Sequence, residues 1–189
     1  MKSFTVVDLE TTGFSPVSDS IIEIGAISIR DGEIVERYSQ LINPCHPIPY
    51  KIQSLTGITN DMVKDMPTLE EPLLHLYKMM HGYPVVGHNV RFDMRFLQVK
   101  GEELGVDFSL DGMRYGVDTL SLARSVLKGE PHHTLKAVAE YYGVFNENAH
   151  RALDDCEMTL AILDKLGSYT PEQMFKKGRA TEHETLAFK

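Results

Sequence analysis

The chain has 189 residues, 42% of them apolar and 24% charged, and its 19 Lys and Arg against 27 Asp and Glu leave a net charge of −8. That size suits one domain with a full hydrophobic core, so neither a disulfide nor a structural metal is needed for folding. The acidic balance argues against holding nucleic acid over a broad basic surface, but not against an enzyme whose bound divalent metals supply positive charge where phosphate must sit.

Phe4–Leu9 is a short apolar run rich in β-branched residues and reads as a central strand. Ser20–Arg30, with Ile21, Ile22, Ile24, Ile27 and Ile29, reads as a second strand. Asp31-Gly32 is a hairpin signal, which makes Ile34–Ile42 a third strand antiparallel to the second. The prolines of Asn43–Pro49 mark a loop. Thr68 is placed to cap a helix, with Glu71 three residues on and Leu69, Leu73, Leu76 and Met80 at helical spacing. Val85–Gly87 reads as a short strand and Phe92–Val99 as a helix, with Phe92, Phe96 and Val99 on its inward face. Gly101–Gly112 reads as loop and Tyr115–Val117 as a short strand. Helices are then expected at about Thr119–Leu127, Thr134–Tyr142 and Ala152–Leu166. A strand meander followed by alternating helices and short strands predicts an α/β domain, a mixed sheet flanked by helices, over residues 1–167. Residues 168–189 lose periodicity and read as a weakly ordered tail. The tail's end, His183 to Phe188, faintly resembles a peptide that inserts into a sliding clamp, without the leading Gln.

Cys45 and Cys156 lie far apart in no metal-like spacing and read as reduced thiols of an intracellular protein. The run Phe4 to Val7 is too short for a signal-peptide core. No apolar stretch approaches the ~18 residues of a membrane span. A cytoplasmic protein with no membrane partner is expected.

Three acidic features carry chemistry. Asp8 and Glu10 stand two apart at a strand end, so their side chains share one face and repel. A divalent cation removes that repulsion, and oxygen-only ligands favour Mg²⁺ or Mn²⁺ over zinc; a solvated strand end is the other reading. The following Thr11-Thr12-Gly13 forms a turn whose N–H groups can approach a ligand. Next, Asn89 caps a helix whose first turn holds Asp93, which fits either a site carboxylate or an acid complementing the helix dipole. Finally, His150 precedes the last helix and Asp155 lies one turn inside it; a surface histidine and a solvated helix face are the alternatives. His81, His132 and His133 have no acidic companion at useful spacing.

Taken in this order, Asp-x-Glu-Thr-Thr-Gly, Asn-x-x-x-Asp and His-x-x-x-x-Asp closely resemble the DEDDh, or DnaQ-like, 3′–5′ exonuclease family over residues 2–167. Leu55-Thr56-Gly57-Ile58-Thr59 is similar to that family's substrate loop. The resemblance implies a ribonuclease H-like, five-stranded mixed sheet. It implies two divalent ions, Mg²⁺ or Mn²⁺, held by Asp8, Glu10 and Asp155, with Asp93 acting through water. It gives His150 the role of general base. It places Thr11, Thr12 and Gly13 against the terminal nucleotide, Leu55 and Thr56 against the last bases, and Asn89 in support of Asp93 and the substrate. Phe14 and Phe92 are either base-stacking surfaces or core. The implied substrate is a single-stranded or frayed DNA end, with RNA trimming as the alternative and a polymerase or sliding clamp as candidate partner. Two other readings remain: a non-catalytic nucleic-acid-binding subunit on the same fold, and a hydrolase of small phosphoesters.

Overall fold

The computed structural model describes residues 3–108, 116–144 and 151–167. The tail assigned to 168–189, with its clamp-like peptide, and His150 lie outside the described residues. The sheet has five strands, β1 Phe4–Thr11, β2 Ile21–Arg30, β3 Glu33–Leu41, β4 Val85–Gly87 and β5 Gly116–Asp118, in the order β3-β2-β1-β4-β5. The first three pair antiparallel, while β4 runs parallel to β1 and β5 parallel to β4. This is the mixed, helix-flanked sheet of the ribonuclease H-like class.

β2 is buried along nearly its whole length, as its isoleucine run requires. β3 is the sheet edge, and its exposed Glu33 and Arg37, with the half-buried Glu36, protect it from further pairing. The β2–β3 turn puts Asp31 at φ 53° and Gly32 at φ 93°, the left-handed pair that a two-residue hairpin needs.

The helices are α1 Tyr50–Thr56, α2 Asn60–Val63, α3 Glu70–Met80, α4 Arg91–Leu104, α5 Thr119–Val126, α6 Leu135–Tyr141 and α7 Ala152–Leu166. Successive strand residues point to opposite faces. Val6 and Ile27 therefore join α5, α6 and α7 in one core layer, while Val7 and Ala26 join α3 and α4 in the other. Ile22, Ile48, Ile52, Ile58 and Val63 seat α1 and α2 in a smaller cluster.

Several local expectations need correction. The segment predicted as loop from Gly101 begins with the last turn of α4, which ends at Leu104 and is closed by Gly105 at φ 70°. Gly101 is accommodated in the helix because a Cβ there would press on Val106 and Phe108, so the position is chosen for packing. Thr68 does not cap α3; Leu69 holds that position, and the Thr68 hydroxyl donates to Glu70 instead, which lowers the Glu70 carboxyl. Asn89 does not cap α4 through its side chain; Val90 occupies the cap position. Asn89 instead takes the left-handed conformation at φ 65°, its carbonyl accepting from Phe92 N–H. Leu55 and Thr56 belong to the last turn of α1 rather than to a loop, and Thr11 ends β1 rather than opening a turn. Tyr115 lies outside the described residues.

Candidate active site

Val6, Asp8 and Glu10 share the face of β1 on which α7 packs. The apolar layer of that face stops at the strand end, and the two carboxylates continue it. Asp155 enters from the first turn of α7, its amide donating to the Arg151 carbonyl at 3.0 Å. One carboxylate oxygen from each of Asp8, Glu10 and Asp155 lies within 4.8 Å of the others, and all three side chains are half-buried.

Asp93 arrives from the other side of β1. The parallel partner β4 pairs with β1 at Thr5 and Val6 and ends at Gly87. Beyond it, among the described residues, no strand pairs with this side of β1 at Leu9, whose N–H lies between the two site carboxylates. Asp93 supplies the missing acceptor at 3.0 Å and is 3% exposed. The Asn89 turn that delivers α4 is held by Asp118, whose Oδ1 accepts from Asn89 N–H at 2.8 Å and from Leu120 N–H at 3.0 Å. The position follows a general rule: sites form beyond the carboxyl ends of strands, where chain connections diverge to either side.

The electrostatics are those of like charges out of water. Burial, then Asp93, Asp155, Glu10 and Glu23, push the Asp8 carboxyl well above its ordinary value. Burial, Asp155, Glu23 and Asp93 raise Glu10 to about 8, opposed by Arg151. Asp93 also rises to about 8 through burial, against hydrogen bonds from its own and the Leu9 amide. Such a cluster is stable as carboxylates only beside a cation. An oxygen-only donor set at this spacing fits a hard divalent ion. Asp8, Glu10 and Asp155 are the only group of this kind among the described residues.

The sequence profile of the RNase T family, described as exonuclease, matches residues 5–163. The chain belongs to this exonuclease family. The DnaQ-like resemblance read from the motifs therefore holds. Among relatives, the PolC-type DNA polymerase III of Clostridium perfringens is 40% identical over 160 residues, covering 85% of this chain and 11% of that protein. The PolC-type polymerase of Thermotoga petrophila is 39% identical over 160 residues, again 85% of this chain and 11% of the polymerase. The chain thus spans about a tenth of the length of these relatives. Among solved structures, exonuclease X in complex with 5′ overhanging duplex DNA superposes with a TM-score of 0.72 at 27% identity, covering 93% of this chain and 99% of that one. Exonuclease I of E. coli in complex with a dT13 oligonucleotide shares the fold, with a TM-score of 0.78 at 20% identity over 93% of this chain and 43% of that one.

The remaining residues singled out from sequence lie on the loop that follows Glu10 and at the end of α1. Thr12 exchanges two hydrogen bonds with Ser20, one through each backbone N–H, at 2.8 and 2.9 Å, and the Thr11 hydroxyl donates to Gly13 O. Gly13 lies against the Asp19 carboxylate, which accepts from Ser15 N–H at 2.9 Å. This closed loop carries Phe14, 79% exposed, whose ring meets Phe92 edge-on at 6.4 Å; Phe92 in turn contacts Phe96 at 5.0 Å. Leu55 is exposed and Thr56 buried, its hydroxyl donating to Ile52 O. Motif reading missed Glu23, Asp118 and Arg151. Glu23 left a visible trace, being a lone acid inside the apolar run Ile21–Ile29. No helix among the described residues is long and apolar enough to cross a membrane.

Proposed function

We propose that the domain formed by residues 1–167 is a metal-dependent 3′–5′ exonuclease that releases nucleoside monophosphates from single-stranded or frayed DNA ends. The observation that carries this reading is the meeting of the Asp8, Glu10 and Asp155 oxygens within 4.8 Å. Asp8, Glu10 and Asp155 would hold one Mg²⁺ or Mn²⁺, and Asp8, with Asp93 through water, a second. Bound there, the ions supply a lowered pKa for the attacking water and charge relief at the departing 3′-oxygen.

The chain's own residues do the rest. Asp93 is held in place by hydrogen bonds from the Leu9 amide and its own amide. His150, from the segment before α7, takes the proton of the attacking water, because an imidazole titrates near working pH. Thr11, Thr12, Gly13 and Asn89 meet the terminal nucleotide and its 3′-hydroxyl, while Leu55 and Thr56 lie along the last bases. An acidic chain gains positive charge for phosphate from the ions rather than from a basic surface. The two free thiols suit a cytoplasmic setting. The PolC-type relatives point to a polymerase as the protein partner.

The test uses 5′-labelled single-stranded DNA, matched RNA and the same DNA labelled at its 3′ end. A descending ladder from the 5′ label that requires Mg²⁺ or Mn²⁺ and disappears with EDTA is expected, with DNA preferred. His150→Ala should abolish turnover while largely preserving metal-dependent DNA binding. An EDTA-resistant ladder, or loss of 5′ label as mononucleotide, overturns the reading. Faster cleavage of RNA moves the substrate class without changing the chemistry.

A further inference from the structure

Helix α7 carries Asp155 in its first turn, yet that end has no side-chain cap of its own, because Arg151 occupies the cap position. The first N–H groups of a helix find no partner within it. Here the Ala152 N–H donates to Oε2 of Glu23 at 3.1 Å, across from α7 on β2. The same carboxylate binds the Arg151 side chain in a fork: Nη2 donates to Oε1 at 2.7 Å, and Nε donates to Oε1 at 3.0 Å and Oε2 at 3.1 Å. Glu23 is thus a charged cap supplied from another element, favoured by the positive end of the helix dipole.

A second feature of β2 fixes the same helix end. Gly25 shares the Glu23 face of the strand. A Cβ on Gly25 would stand 2.2 Å from the Ala152 carbonyl carbon and 2.4 Å from its oxygen. The first residue of α7 therefore rests directly on the β2 backbone. The strand register puts Gly25 opposite Asp8 and Glu23 opposite Glu10. The two points that seat α7 are thus the direct neighbours of the two β1 carboxylates. Asp155 follows Ala152 by under one helical turn, so displacement of the helix end moves its carboxyl by a comparable distance.

Glu23 is wholly buried, beside a site already crowded with negative charge. For stability alone, a buried ion pair is readily replaced by apolar residues. Its value lies in geometry: a carboxylate accepts at both oxygens, whereas a glutamine would turn an NH₂ group toward donors. We propose that Glu23 and Arg151 form a positioning pair that sets where Asp155 stands relative to Asp8 and Glu10, and so sets the affinity of the site for its divalent cation. The inference rests on the metal-site reading above.

The experiment measures Mn²⁺ binding to the full chain by titration calorimetry, with hydrolysis followed in parallel. Wild type, Glu23→Gln, Arg151→Lys and Asp155→Asn are compared at a temperature where circular dichroism shows each folded. Glu23→Gln and Arg151→Lys should bind Mn²⁺ about tenfold more weakly, the range seen when groups behind metal ligands are altered. Their hydrolysis should recover as Mn²⁺ is raised, with KM for DNA unchanged, while that of Asp155→Asn does not recover. Arg151 is partly exposed, so its lysine variant keeps the test open if Glu23→Gln does not fold. A folded Arg151→Lys protein with wild-type Mn²⁺ affinity overturns the positioning role. Wild type that binds Mn²⁺ but cleaves no nucleic acid sinks the proposed activity and leaves the binding comparison intact. Cleavage by wild type, with the variants binding Mn²⁺ equally tightly, sinks the positioning role alone.

Discussion

The carboxylate cluster and the rim around it are held by opposite means. The cluster draws Asp8 and Glu10 from β1, Asp93 from α4 and Asp155 from α7, and its members raise one another's pKa. Only the surrounding frame keeps them together: the Asp93 bond to Leu9 N–H, and α7 seated on Gly25 and Glu23. The rim is built locally. The loop from Thr12 to Ser20 closes on itself through its own hydrogen bonds and leaves Phe14 and Val17 mostly exposed. A site of this kind places the strain in the buried half, where a bound cation would relieve it, and leaves the loop residues Phe14 and Val17 exposed.

The largest effect should come from neutralising one member of the cluster. Asp155→Asn removes one carboxylate of the group that could hold a cation, and one of the like charges acting on Asp8 and Glu10. Hydrolysis should fall by more than about 10²-fold, beyond the range for groups that merely support a ligand. The melting temperature of the metal-free protein should rise, because repulsion has been removed. The two readouts move in opposite directions, which separates a strained site from an ordinary structural one. A metal-free protein that melts several degrees lower would show that Asp155 holds the fold together, and the contrast with the rim would fail.

How much of this was legible in the sequence depends on the range of the interactions. The meander of β1, β2 and β3 and the bounds of α7 could be read because β-branched runs, an Asp-Gly turn and a long periodic helix carry their own signals. The short helix α1 escaped because the prolines before it read as loop, and its amphipathic face is completed by Ile22 and Ile58 from elsewhere. Helix α4 extends past the expected end because Gly101 packs against Phe108, a contact invisible in local propensity. For the site, spacing alone showed that Asp8 and Glu10 share a face. Their meeting with Asp155 needed the family resemblance, since no local rule joins residues so distant. Glu23 was overlooked because its partner, Arg151, lies 128 positions away.

An intermediate effect should appear with pH. Glu10 and Asp93 each titrate near 8 when no cation is bound, above the ordinary carboxylate range. Between the two values the native state holds protons that the unfolded chain has lost. Stability of the metal-free protein is therefore greatest at low pH in this window and falls as pH rises toward 8. The melting temperature should drop between pH 5.5 and pH 8 without metal, and Mn²⁺ should reverse that drop. Binding must displace those protons, so Mn²⁺ affinity should climb by up to about tenfold per pH unit below pH 8 for each proton released. Calorimetry in buffers of different ionisation enthalpy counts the protons. An affinity flat across this range, with no proton release, would mean that the carboxylates are already charged before the cation arrives.

The smallest effect belongs to the rim and tests its independence from the cluster. Phe14 is 79% exposed and touches Phe92 only edge-on, so Phe14→Ala should change stability by less than about 0.5 kcal/mol. Its ring stands on the loop that follows Glu10, which the proposed function sets against the terminal nucleotide. Loss of one stacking surface is worth about 1–3 kcal/mol per base, so KM for single-stranded DNA should rise roughly fivefold or more. Mn²⁺ affinity should stay as in the wild type, because the cluster is held by β1, α4 and α7 and not by this loop. Steady-state kinetics, a melting curve and a Mn²⁺ titration on the same preparation read all three quantities. A fall in Mn²⁺ affinity would couple the rim to the metal site. An unchanged KM would return Phe14 to the role of a cover for Phe92.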